Sequence, residues 1–148
     1  MPEATCAFCR IAGFRDVAYI VFEDKISVAF LDHRPLFPGH CLLVPKRHIE
    51  TFADLPPDLT GPIFENVKML GRAVEEAVDA DGAFIAVNNK VSQSIPHFHV
   101  HVVPRRHKDG LKGFFWPRNP YRDQKHLLET QRAIAARMEV FVPRIPEA

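Results

Sequence analysis

Residues 97–105 read HFHVHVVPR, with histidines at 97, 99 and 101 and apolar residues between them. Alternation at period two marks a β-strand, because successive strand side chains point to opposite faces. His97, His99 and His101 then line one face, about 7 Å apart, while Phe98, Val100 and Val102 face a core. Pro104 ends the run, since it cannot donate to a sheet ladder. A single strand histidine is ordinarily a half-exposed polar residue. Three in register point to metal binding, proton transfer, nucleophilic chemistry or anion binding.

The flanking segments supply the rest of a sheet. YIVFEDKISVAFLD (19–32) reads as two strands joined by a turn at Glu23–Asp24–Lys25. GHCLLVPKRH (39–48) is a strand begun after Pro38–Gly39 and ended near Pro45, and GAFIAVNN (82–89) is a fourth before the histidine strand. Between them, Leu59, Ile63, Val67, Leu70, Val74 and Val78 recur at spacings of three and four, the mark of an amphipathic helix. Pro62 fits only a first turn, which leaves the start of that helix open. After the loop KDGLKGFFWPRNPY (108–121), a last helix spans about 123–139 with Leu127, Leu128, Gln131, Ile134 and Met138 on one face. The fold class is α+β: an antiparallel five-stranded sheet with one long helix and a C-terminal helix. One domain is expected over 1–148.

The chain has 148 residues and a formal net charge of +1. That balance argues against a nucleic-acid partner, which calls for a strong basic excess. Local clusters remain, PKRH (45–48) and PRRHK (104–108), suited to the phosphates of a small ligand. The first residues lack the basic and apolar regions of a secretory signal, and no apolar run approaches a membrane span. With three cysteines and no export signal, a cytoplasmic location is expected.

HFHVHVV resembles the signature of the histidine triad (HIT) superfamily of nucleotide hydrolases and transferases. FEDKISVAFLD, PGHCLLVPKRH and AVNNKVSQSIPHFHVHVVPR match that family's order and spacing, so the resemblance covers about residues 6–105, with the C-terminal loop and helix, 106–148, beyond it. It implies a homodimer and chemistry at the α-phosphate of a purine nucleotide or dinucleotide. His99, the central histidine, corresponds to the family's nucleophile, which forms a nucleotidyl-histidine later released to water. His101 corresponds to the residue that contacts the phosphate and assists the leaving group, and His40 to a fourth histidine that supports the nucleophile. Gln93 and Ser94 correspond to donors for phosphate oxygens. The glycine before them in the family is Ser92 here, which leaves the loop path open. Asp32 corresponds to the ribose-binding acid, Asn88 to a ribose-phosphate contact, and His33, Leu31 and Ile11 to walls of the base pocket.

Cys6 and Cys9 have the spacing of zinc knuckles and of redox dithiols. A pair is half a tetrahedral site. The resemblance completes it with His48 and His97, giving a structural Zn2+ and no organic cofactor; the competing reading is two reduced thiols beside a hydrogen-bonded His97. Cys41, inside an apolar strand, reads as a buried small residue.

Within the superfamily, transferases carry glutamine at the third triad position, and His101 argues against them. Fragile-histidine-triad hydrolases of dinucleoside polyphosphates carry a C-terminal extension with a tryptophan, and Trp116 matches it. Lys112, Arg118 and Arg122 are placed to meet a polyphosphate, and Trp116 to stack on a second base or close the dimer. The expected activity is hydrolysis of a dinucleoside polyphosphate or similar nucleotide conjugate. The alternatives are an adenosine phosphoramidase of the HINT type and a nucleotide-binding regulator with little turnover.

Overall fold

The computed structural model describes residues 2–112 and 119–141. Two compact units divide after Gly110. Trp116 and Arg118 lie outside the described residues.

The first unit is built on five strands: β1 (Ile20–Glu23), β2 (Ser27–Leu31), β3 (Cys41–Pro45), β4 (Gly82–Ala86) and β5 (Val100–Arg105). All pairings are antiparallel, in the order β1-β2-β3-β5-β4. Helices α1 (Pro2–Thr5) and α2 (Ala7–Ala12) precede the sheet, and α3 (Pro57–Ala77) lies between β3 and β4. The antiparallel α+β architecture read from the sequence is the one found.

Alternation splits the sheet into two apolar faces. Ala29, Cys41, Leu43, Phe98, Val100 and Val102 pack with Ile63, Val67, Leu70 and Val74 of α3. Val28, Phe30, Leu42 and Val44 pack on the other face with Phe8, Cys9 and Ala12 of α2. Each large apolar side chain so buried contributes about 1.5–3 kcal/mol. The triad lies on the α2 face: Phe98 and Val100 point to α3, and His101 stands opposite Leu42 in the β3–β5 register.

Three details depart from the sequence reading. Pro104 does not end its strand, which continues to Arg105 with Pro104 opposite Ala83. The β3 pairing of β5 reaches only Val102, so the missing N–H of Pro104 costs no ladder bond. Pro62 sits inside α3, which starts at Pro57. It is exposed, so the carbonyl it leaves unpaired one turn back is open to water. The N-terminal helices escaped the reading, although Ala7, Phe8, Ile11 and Ala12 have helical spacing.

A buried polar knot ties the β1–β2 turn to α3. Asp24 Oδ1 accepts from the Ile26 and Ser27 amides at 2.9 and 2.8 Å, and Asn66 Nδ2 donates to Asp24 Oδ2 at 2.7 Å and Ser27 Oγ at 2.9 Å. Burial pushes the Asp24 carboxyl up, but these donors together outweigh it and hold it below its ordinary value of 3.8. A depressed carboxyl stabilises the fold above its unfolded pKa, and that contribution disappears as pH falls through the folded one. Asn66→Ala is expected to cost about 2–3 kcal/mol by stranding a half-buried carboxylate oxygen. Urea unfolding at pH 7 and pH 3 checks it: the variant should lose less on acidification than the wild type.

In the second unit, α4 (Gln124–Phe141) contains no buried residue. Leu127, Ile134, Met138 and Phe141 form an exposed apolar stripe along it. Its N-terminus is held by Asp123 Oδ1, which accepts from the His126 amide at 2.7 Å.

Candidate active site

His40 stands at the start of β3 because Gly39 turns the chain with φ +100°. A Cβ at Gly39 would lie 3.1 Å from Val78 and 3.3 Å from Pro104, so only glycine fits there. His40 is thereby placed beside His101 on the neighbouring strand. Both His40 and His99 are 3 % exposed, and His97 is fully buried.

The hydrogen bonds fix where each imidazole proton lies. The Leu36 amide donates to His40 Nδ1 at 3.1 Å, so the His40 proton is on Nε2. His40 Nε2–H donates to His101 Nδ1 at 3.0 Å, which puts the His101 proton on Nε2. His99 Nδ1–H donates to the His97 carbonyl at 2.7 Å and leaves Nε2 as an unprotonated lone pair. The rings of His99 and His101 are 5.0 Å apart between centroids. A free nucleophilic nitrogen and an N–H donor therefore stand side by side. The Phe8 ring meets His99 edge-on at 5.1 Å and His97 at 5.9 Å, a contact the sequence reading missed.

Burial, then the neighbouring His99 and His40 rings, push His101 down to about 4 against the opposing pull of Asp32. Burial likewise lowers His40, with Asp32 opposing. Both rings are neutral at pH 7. The unfolded chain binds these protons near pH 6.5 and the folded one does not, so stability is expected to fall as pH drops from about 6.5 towards 4. Urea midpoints across that window check it, and His101→Gln should flatten the slope.

Asp32 Oδ2 lies 3.6 Å from His40 Nε2, and its Oδ1 accepts from the Arg34 amide at 2.8 Å. Asp32, His40 and His101 bring three ligand-type atoms within 4.8 Å of one another. That group is not a ready-made metal site, because the Leu36 amide keeps the His40 proton on the nitrogen that would have to ligate. Nor do the triad rings converge on one ion, since His97 turns towards the cysteines. His33 is largely solvent-exposed, 3.8 Å from Asp32 Oδ1. Leu31 lines an apolar cleft of about 340 Å³ under α3, on the face opposite the histidines. Ile11 packs on the α2 face with Phe8 and Phe30.

The loop before the triad is tightly wound. Lys90 and Ser92 both have left-handed backbone, φ 70° and 59°, so serine occupies the conformation that glycine adopts more easily. Gln93 spans the loop: its Nε2 donates to the Glu50 carbonyl at 2.6 Å and its Oε1 accepts from the Lys90 amide at 2.8 Å. Its side chain is thus engaged with backbone. Ser94 and Asn88 are exposed. Of the basic clusters, Lys46 pairs with Glu23 and Arg105 pairs with Asp109 at 2.6 Å.

Cys6, Cys9, His48 and His97 form a second constellation, with one ligand-type atom from each within 4.8 Å of the others. Cys6 Sγ and Cys9 Sγ both lie 3.4 Å from His97 Nδ1, and Cys9 Sγ is 3.2 Å from His48 Nδ1. Tetrahedral Zn2+ with bonds of roughly 2.3 Å to sulfur and 2.0–2.1 Å to nitrogen needs edges of about 3.5 Å. The second nitrogen of His97, Nε2–H, donates to the Pro45 carbonyl at 2.9 Å, which aims the Nδ1 lone pair at the sulfurs. His48 Nε2 is buried and has no hydrogen-bond partner among the described residues. The donor set and spacing fit zinc.

A HIT domain model matches residues 16–108. An uncharacterised HIT-like protein of Saccharolobus solfataricus is 36% identical over 138 residues, covering 87% of this chain and 99% of that protein. The adenylylsulfatase HINT3 of Arabidopsis thaliana is 32% identical over 72% of this chain, which spans 55% of its length. A bis(5'-nucleosyl)-tetraphosphatase of Schizosaccharomyces pombe is 32% identical over 61% of this chain and 50% of its own. Among solved structures, a Streptococcus mutans protein superposes with a TM-score of 0.81 at 30% identity, covering 90% of this chain and 85% of its own. A zinc-bound histidine triad protein of Mycobacterium smegmatis does so with a TM-score of 0.70 at 33% identity, covering 95% and 99%. No described helix is long and apolar enough to cross a membrane. Sequence match, sheet order and the row of histidines agree: this chain belongs to the histidine triad (HIT) family.

Proposed function

We propose that the chain hydrolyses a dinucleoside polyphosphate, or a similar nucleotide conjugate, at the α-phosphate through a covalent nucleotidyl-His99. The observation that carries this reading is the free Nε2 lone pair of His99, held by its Nδ1–H bond to the His97 carbonyl and standing beside His101. His99 Nε2 attacks the α-phosphorus as the bond to the leaving oxygen breaks, and His101 Nε2–H donates a hydrogen bond to that departing oxygen. Water then displaces His99 and releases the nucleoside monophosphate. His40 keeps the His101 proton on Nε2.

His101, pushed down to about 4, is neutral at pH 7 and carries no imidazolium proton to hand over. It suits groups that leave as stable anions, such as phosphate chains or sulfate, and suits amines poorly, because they must leave with a proton. This favours anhydride cleavage over a phosphoramidase. It also accords with relatives named as a tetraphosphatase and an adenylylsulfatase. In this reading Asp32, His33 and Asn88 meet the nucleoside end, and Gln93 and Ser94 frame the phosphates, Gln93 through the loop path it fixes. Zn2+ held by Cys6, Cys9, His48 and His97 acts as a structural cross-link, and the working form is a cytoplasmic homodimer.

Incubation with diadenosine tetraphosphate, adenylyl sulfate and adenosine phosphoramidate in 18O-labelled water tests the activity. The expected result is labelled AMP from the two anhydrides at rates well above the amidate. Label in the other product, or amidate turnover fastest of the three, contradicts the reading.

A further inference from the structure

We propose that Cys6 and Cys9 form a reversible oxidation site, where a peroxide converts the two sulfurs to a disulfide, expels the ion they hold and unfastens His99. The inference rests on the reading above only for its effect on activity. Three observations carry it: the two sulfurs are close, they are reachable, and they are wired to His99.

Both sulfurs lie 3.4 Å from His97 Nδ1, and Cys9 has His48 Nδ1 at 3.2 Å, so the two sulfurs are gathered on one pair of imidazoles. The sulfurs are within 4.8 Å of each other, and side-chain rotation closes that gap to the roughly 2.05 Å of a disulfide. Cys6, His48, Glu50 and Ser94 line a cleft of about 260 Å³, a path in for peroxide and out for the ion. Cys41 offers the contrast: it is 2 % exposed and burial pushes its thiol up to about 11.

The wiring runs through two residues. His97 contributes its ring to the cysteine cluster and its carbonyl to His99 Nδ1–H at 2.7 Å. Phe8, between the two cysteines in sequence, lies edge-on against the His99 ring. Two of the contacts on His99 thus come from residues that belong to the cluster or lie between its cysteines. In the reaction one thiolate attacks a peroxide oxygen, giving a sulfenic acid and water. The second thiolate attacks that sulfur, forming the S–S bond and releasing a second water. Two thiolates with the Zn2+ they hold, one hydrogen peroxide and two protons give one disulfide, two waters and free Zn2+.

The test treats the full chain, zinc-loaded, with hydrogen peroxide. It follows released zinc with a chromogenic chelator, the disulfide by intact mass and peptide mapping, and the His99 ring nitrogens by long-range 1H–15N correlation. The expected result is zinc release, loss of two hydrogen masses mapped to Cys6–Cys9 and a moved His99 signal, all reversed by dithiothreitol and zinc. Nucleotidyl-enzyme formation should fall about 10- to 100-fold on oxidation and return on reduction. Cys6→Ser should instead give a dimedone-reactive sulfenic acid on Cys9. Irreversible sulfinic acid without a disulfide overturns the oxidation site, and a disulfide with the His99 signal unmoved overturns the coupling. Absence of adduct in the reduced protein counts against the proposed function alone, since the other readouts involve no nucleotide.

Discussion

His99→Ala is expected to lower kcat for a nucleotide substrate by roughly four to six orders of magnitude, the scale seen when a covalent nucleophile is removed. Substrate affinity should change little, because the ring acts by bonding to phosphorus rather than by gripping the ground state. The size of the effect follows from the arrangement around the ring. Its Nδ1–H is committed to the His97 carbonyl at 2.7 Å, and Phe8 closes one side at 5.1 Å, so Nε2 is held in one orientation with its lone pair free. His40 and His97 do not offer that: the His40 Nε2 proton points at His101, and the His97 ring faces the cysteines. Free imidazole added to His99→Gly should restore part of the rate by occupying the vacated space. Steady-state kinetics of the three proteins check this, and near-wild-type turnover by His99→Ala would exclude the role.

Stripping the metal with a chelator should lower the thermal midpoint by about 10–15 °C. An ion bound only by the folded state stabilises it by about 3–4 kcal/mol when present at several hundred times its dissociation constant, and each kcal/mol shifts a unit of this size by a few degrees. The cost is concentrated in α2, a six-residue helix too short to hold itself. It is fastened to the sheet by Phe8, Cys9 and Ala12 and by the constellation of Cys6, Cys9, His48 and His97. Without the ion, His97 keeps its bond to Pro45 while the four donors face one another uncompensated. Differential scanning calorimetry of stripped and zinc-restored protein gives the number. Equal midpoints would show that the four residues hold the fold as reduced thiols and imidazoles alone.

Much of this architecture was legible because period and burial coincide. The alternation in HFHVHVV placed Phe98, Val100 and Val102 against α3 and the histidines on the other face, and the three-four spacing from Leu59 to Val74 located the long helix. What was hidden depends on atoms that sequence spacing does not specify. The triad suggests three similar histidines, yet His97 turns its ring to the cysteines and lends only its carbonyl to His99. That division is set by which ring nitrogen finds a backbone carbonyl. The Leu36 amide that orders the His40 and His101 protons belongs to a loop with no pattern of its own. Gln93 resembles a phosphate donor by position, but its amide is engaged by Glu50 and Lys90 across the loop. Pro62 was read as fitting only a first turn and Pro104 as ending its strand, and both sit where the lost N–H costs little.

The central claim is that His99 becomes covalently nucleotidylated, and rapid-quench intact-mass analysis with diadenosine tetraphosphate tests it most directly. The account predicts a transient mass increase of one AMP, acid-labile, mapped to the peptide that contains His99 and absent from His99→Ala. Full turnover with no adduct at any quench time, or an adduct on another residue, would contradict it.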